Sequence, residues 1–135
     1  MAQERTPTPD APLGHRLAAA LGAVFCACAV GLGAYAAHAA SGVTQARLDS
    51  ASLYLFFHGF ALAVFALRQR GVWAVASLLL WVTGCVLFCG SLVAGALWGA
   101  STALAPAGGM AFMFGWLMRA LAVWRSRPGD NVAPH

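Results

Sequence analysis

Residues 33–42, "GAYAAHAASG", close a long apolar run, and three incompatible readings meet there. Ala37-His38-Ala39 fits the small-x-small pattern of a signal-peptidase site. The same residues could form the outer end of a transmembrane helix, or the rim of a ligand site built on His38. The apolar part ahead of the motif, Leu17 to Ala34, exceeds the 7–15 residues usual for the core of a secretory leader. A membrane helix that ends in a polar, small-residue turn is the reading favoured by that length.

Working outward, the rest of the chain asks for lipid. Of its 135 residues, 61% are hydrophobic and only 9% charged, and the mean hydropathy is +0.74. A soluble domain of this size leaves too much of itself facing water to hide that much apolar surface. All eight basic residues are arginine, the acids are only Glu4, Asp10, Asp49 and Asp130, and the net charge is +4. The arginines stand singly or in pairs between apolar runs and form no basic stripe, which argues against a nucleic-acid partner. Cys26, Cys28, Cys85 and Cys89 all fall inside apolar runs. Neither a disulfide scaffold nor a zinc site places its cysteines there, so they read as small buried hydrophobes. A soft copper(I) site drawing on these cysteines with Met110 and Met113 is the chemical alternative. It is disfavoured because Cys26 and Cys28 point to different helix faces.

Four spans follow, and the fold class is all-α, an integral membrane bundle. Residues 1–16 read as a polar, Pro-rich cytoplasmic tail, and residues 125–135 as a second one. The transmembrane domain, residues 17–124, divides into spans 17–40, 47–67, 72–98 and 103–124, each long enough for a bilayer core of about 30 Å at about 1.5 Å per residue. Thr44 is the expected N-cap of the second helix, and Pro106 is expected in the first turn of the fourth, where its missing N–H does little harm. An inward N-terminus puts Arg5, Arg16, Arg68, Arg70, Arg119, Arg125 and Arg127 on the cytoplasmic side and leaves Arg47 outside. The positive-inside rule therefore predicts both termini in the cytoplasm, with an uncleaved N-terminus.

Lipid gives helices no hydrophobic reason to associate, so small residues must allow close approach. Gly31, Gly33, Gly84, Gly90, Gly95, Gly99, Gly108, Gly109 and Gly115 are the expected packing positions, and Gly95 with Gly99 forms a G-x-x-x-G that could serve either the bundle or a second copy. The polar residues gather toward the outer leaflet: by rise per residue His38 is about 3 Å deep, Tyr35 and Tyr54 about 6–8 Å, and His58 about 12 Å. Tyr35, His38, Tyr54, His58 and Ser91 are the candidate pocket, set between the first three helices, with His58 opposite Gly90 and Ser91. The alternative is that the histidines only lock the bundle. No carboxylate lies within a span and no nucleophile–base set is present, so the expectation is a protein without catalytic activity, metal or cofactor. A haem shared by His38 and His58 fails on their difference in depth of roughly 9 Å.

Four motifs in order, Leu32-Gly-Ala-Tyr-Ala-Ala-His38, Tyr54-Leu-Phe-Phe-His58, Gly84-Cys-Val-Leu-Phe-Cys-Gly-Ser-Leu92 and Pro106-Ala-Gly-Gly-Met-Ala-Phe-Met-Phe-Gly-Trp116, resemble the signatures of the YgdD-like family of small inner-membrane proteins. The resemblance covers all four spans and implies a multi-span protein of the bacterial inner membrane with no established activity. Leu55 stands where that family usually has Gln, Cys89 where it has Ser, Val93 where it has Tyr and Ala105 where it has Thr, each change removing or softening a polar group. With little mass outside the lipid, the chain reads as an accessory or assembly subunit that meets other membrane subunits, or itself, laterally. A small oligomeric transporter or channel for an ion or solute is the alternative.

Overall fold

Residues 33–42 turn out to hold the link between two helices. In a computed structural model, which describes residues 11–68 and 71–125, α1 runs over Leu13–Ala39 and α2 over Gly42–Phe65. Ala40 and Ser41 between them are extended. Gly42 opens α2 at φ 58°, in the left-handed region that a side chain disfavours. A sharp reversal follows, and His38 is exposed in the last turn of α1.

The third and fourth helices are α3, Val72–Leu97, and α4, Ala105–Arg125. All four are long and apolar enough to cross a membrane by length and composition. Their ends differ from the hydropathy boundaries for one reason: apolarity marks where lipid begins, whereas a helix continues as far as its hydrogen bonds do. α1 starts before Leu17, with His15 donating its N–H to the Pro12 carbonyl at 2.9 Å, so Leu13 to Arg16 belong to a helix and not to a tail. α2 starts five residues before 47, with Ser41 at the N-cap position, and Thr44 lies inside its first turn. α2 ends at Phe65, short of residue 67, and α4 begins at Ala105, with Pro106 in its first turn as expected. Arg5, Arg70 and Arg127, part of the orientation argument, and the tails 1–10 and 126–135 lie outside the described residues.

Two antiparallel hairpins make the bundle. In the first, α1 lies on α2 with backbones touching: a Cβ at Gly22 would meet the Gly59 carbonyl, and one at Gly59 the Gly22 carbonyl. Ser52 adds a hydrogen bond from its hydroxyl to the Ala29 carbonyl at 2.7 Å, and its Oγ fills the space at Gly33.

In the second hairpin, rings and glycines alternate. Trp81, Gly84 and Phe88 on α3 face Gly115, Phe112 and Gly108 on α4, so every ring sits where its partner has no side chain. Residues three and four apart share a helix face, which is why both spacings repeat down the seam.

One irregularity joins the hairpins. Over Cys85–Cys89 the α3 helix widens to a π turn, and the Gly90 N–H reaches back to the Cys85 carbonyl. The extra residue turns the following face by about 100°, the rotation of one residue. Ahead of the turn α3 packs on α4, and beyond it α3 packs on α2. The fully buried Leu48, Leu62, Ser77 and Trp81 lie within this packing.

Not every expected packing glycine packs. Gly31 and Gly90 have open space where a Cβ would be, and Gly109 has only ordinary contact with the Phe88 ring at 3.8 Å. Gly99 lies beyond α3 at φ 67°, supplying a turn that other residues resist. The G-x-x-x-G is therefore split: Gly95 is packed on Thr102, while Gly99 is a helix stop.

Candidate functional site

A buried imidazole in a membrane bundle must be hydrogen-bonded by the protein, because lipid offers nothing to replace water. His58, at 5% exposure, meets that requirement with both nitrogens. Its Nδ1 is 2.8 Å from the Tyr54 carbonyl one turn earlier, and its Nε2 is 3.1 Å from the indole Nε1 of Trp116 on α4. A carbonyl only accepts and an indole N–H only donates, so the ring is the neutral tautomer with its proton on Nδ1. Its face stacks on Phe112 at 3.6 Å between centroids, 16° from parallel.

The rings continue on either side. Tyr54 packs on Phe88 at 4.8 Å and on Phe112 at 5.9 Å, and Trp81 lies 4.6 Å from Trp116. Trp81 is fully buried, and its indole N–H has no acceptor among the described residues. Its pyrrole edge lies against the α4 backbone at Gly115, where a Cβ would come within 2.7 Å of Nε1.

The α2 and α4 backbones stay apart, and side chains bridge them: the bond between His58 and Trp116 and the stack of Tyr54 on Phe112. Two hollows of about 320 and 370 Å³ flank that bridge, and Tyr54, His58 and Trp116 line both. Exposed Leu53 and Phe57 border one, and exposed Met110 and Met113 the other, so the groove opens through the side of the bundle.

The expected pocket between the first three helices is not what forms. Tyr35, 47% exposed, and exposed His38 stay on α1 and make no hydrogen bond or ring contact with the His58 cluster. Ser91 is buried but returns its hydroxyl to the Phe88 carbonyl of its own helix at 3.2 Å, and Gly90 is exposed. Helix α1 is spent on α2, and α4 takes the place expected of it. Trp116 and Phe112 are the residues missed. A signal for them was present: an indole midway along an apolar span needs an acceptor, and His58 is the side chain at matching depth.

The soft-metal donors gather only in part, with Cys85 beside Cys89 and Cys26 nearby. Cys85 and Cys89 are buried at the π turn, Cys26 directs its thiol to the Phe56 carbonyl at 3.7 Å, and Cys28 is exposed. Among the described residues no three of His, Cys, Asp and Glu come together as a metal site would require.

The charged groups sit at the two ends of the bundle. Arg47 donates to the Gly95 carbonyl at 3.0 Å, closing the C-terminal end of α3 from a neighbouring helix. At the other end the Arg119 guanidinium lies over the Phe65 ring at 4.6 Å, and that of Arg125 over Trp73 at 5.0 Å.

Comparison with known proteins points to a membrane protein. No solved structure matches the chain. Residues 32–109 match the family model described as "Protein of unknown function (DUF423)". Over 116 residues the chain is 34% identical to a "UPF0382 membrane protein" of Haemophilus influenzae, covering 80% of this chain and 91% of that one. Four apolar helices, the ordered motifs within them and this likeness lead to one conclusion: the chain is a multi-pass membrane protein that belongs to the DUF423 (UPF0382) family.

Proposed function

We propose that this protein is a non-catalytic accessory or assembly subunit of a larger complex in the bacterial inner membrane, with both termini cytoplasmic. The supporting observation is the unequal burial of its helices. α1 buries only Gly22, Ala29 and Ala36, and α4 a stripe from Ala105 to Gly115, so most of both outer helices is left to lipid or to a neighbour. By contrast α2 has Leu48, Ala51 and Leu62 fully buried in the bundle. A chain of this kind has broad lateral surface and little mass outside the membrane, which suits docking beside other subunits.

The orientation rests on the arginines, and Arg47 strengthens it. The one arginine at the opposite end is bound to the Gly95 carbonyl, so its charge answers a helix terminus and weighs less as a free topogenic signal. Recovery of the tagged protein from gentle detergent tests the functional reading. Stoichiometric co-purification with a larger membrane complex is expected. A lone homo-oligomer that conducts an ion or solute in liposomes would replace this reading with that of a small transporter.

A further inference from the structure

The groove between α2 and α4 has a composition that lipid-facing packing alone does not require. Each of its two hollows, about 320 and 370 Å³, falls at the lower end of the range of small-molecule pockets, ~300–1,000 Å³. The floor is closed, since His58 and Trp116 satisfy each other. The walls are rings and thioethers, with Tyr54, Phe88, Trp116, Met110 and Met113 prominent. Tyr54, 43% exposed, lines both hollows, and its hydroxyl has no hydrogen-bond partner among the described residues. Gly109 leaves part of the wall open.

We propose that this groove binds a membrane-dissolved compound of the quinone class, a flat ring carrying carbonyl oxygens. Aromatic walls and polarizable methionines favour a planar ring over a saturated chain. An unpartnered phenol at the lip of the groove gains a hydrogen bond from a carbonyl acceptor, and a hydrocarbon chain gives it none. The sideways opening fixes the route of entry: the occupant arrives through lipid and must be soluble in it. The bond between His58 and Trp116 stays intact beneath the ligand. This reading stands apart from that of an accessory subunit, and either can fail alone.

The test is titration of decylubiquinone into the full chain in phosphatidylcholine nanodiscs, followed by tryptophan fluorescence, because Trp116 lines both hollows. Saturating quenching is expected. Tyr54→Phe removes only the hydroxyl and keeps the ring stacking, while Gly109→Leu fills the groove from a position where a Cβ meets nothing closer than 3.8 Å. Each should raise Kd about tenfold, on the scale of one hydrogen bond or its equivalent in packing, with thermal unfolding verifying that both variants fold. Decylcyclohexane, which has the same tail and no carbonyl, should not compete. Quenching that rises without saturation, unchanged affinity in both folded variants, or equal competition by decylcyclohexane would each overturn the proposal, the last by revealing a groove for alkyl chains only.

Discussion

At the scale of the residue, depth in the bilayer decides what a polar group costs. By rise per residue His58 is expected about 12 Å inside the Arg47 end of its span, and it is 5% exposed, so the protein must bond it. Replacing it by Ala would strand the Trp116 N–H, expose the Tyr54 carbonyl and open a void beneath Phe112. A loss of roughly 1–3 kcal/mol is expected. His38, exposed in the last turn of α1, can find water, and His38→Ala should be close to neutral. Thermal unfolding of the two variants in one detergent compares them directly. A larger loss at position 38 would mean that residues 33–42 carry a site. A milder variant addresses the hydrogen bond: Trp116→Phe removes the donor and leaves a smaller aromatic ring, so Nε2 is unbonded while the His58 stack on Phe112 stays, and it should cost less than His58→Ala. Depth and the shared face of Tyr54 and His58 were legible in the sequence, because helical rise and period are fixed. The partner was not, since which helix stands opposite a histidine is a property of packing.

At the scale of the element, the α3–α4 seam shows how glycine and aromatic spacing choose a partner. Trp81, Gly84 and Phe88 are spaced three and four residues apart, and Gly108, Phe112 and Gly115 repeat those gaps in the complementary order. That complementarity is legible in the sequence, but a count of glycines alone hides it. Gly31, Gly90 and Gly109 look equivalent to Gly84, Gly108 and Gly115 in sequence, and only the opposing ring tells them apart. Gly115→Ala would drive a methyl group into Trp81, and Gly108→Ala would press on the Phe88 backbone; each should cost roughly 1–3 kcal/mol, the usual range for overpacking. Gly31→Ala and Gly90→Ala meet open space and, with the better helix propensity of Ala, should leave the melting temperature unchanged or raised. Equal losses at all four positions would show that the bundle packs by some other seam. The π turn at Cys85–Cys89 was not legible, because it resolves a conflict between two faces of one helix that must meet different partners. Arg47 belongs to this scale too. Arg47→Ala should cost about 1 kcal/mol by uncapping α3, and Arg47→Lys should recover some of it.

At the scale of the whole molecule, the choice between a cleaved leader and a retained first helix turns on what α1 covers. The A-x-A pattern at Ala37 to Ala39 suits a peptidase, and the arginine distribution tolerates a three-span product, so sequence signals alone leave both outcomes open. Packing favours retention. Gly59 accepts the backbone of α1 at Gly22, and Ser52 bonds the Ala29 carbonyl, while Ala51 and Ala61 belong to the buried core that includes Ala29. Loss of residues before Ala40 would bare this face and leave the Ser52 hydroxyl without its acceptor. A discarded leader has no reason to match its successor at backbone contact, so retention of α1 is expected. Intact-mass measurement of the purified protein should find residues 11–39 present. Reporter fusions at Arg70 and after Arg127 should read cytoplasmic, and one near Ser41 periplasmic. A mature chain beginning near Ala40 would overturn the four-helix bundle as the working form, and with it the use of α1 as lateral surface; a cytoplasmic reading at Ser41 would instead keep the bundle and reverse its orientation.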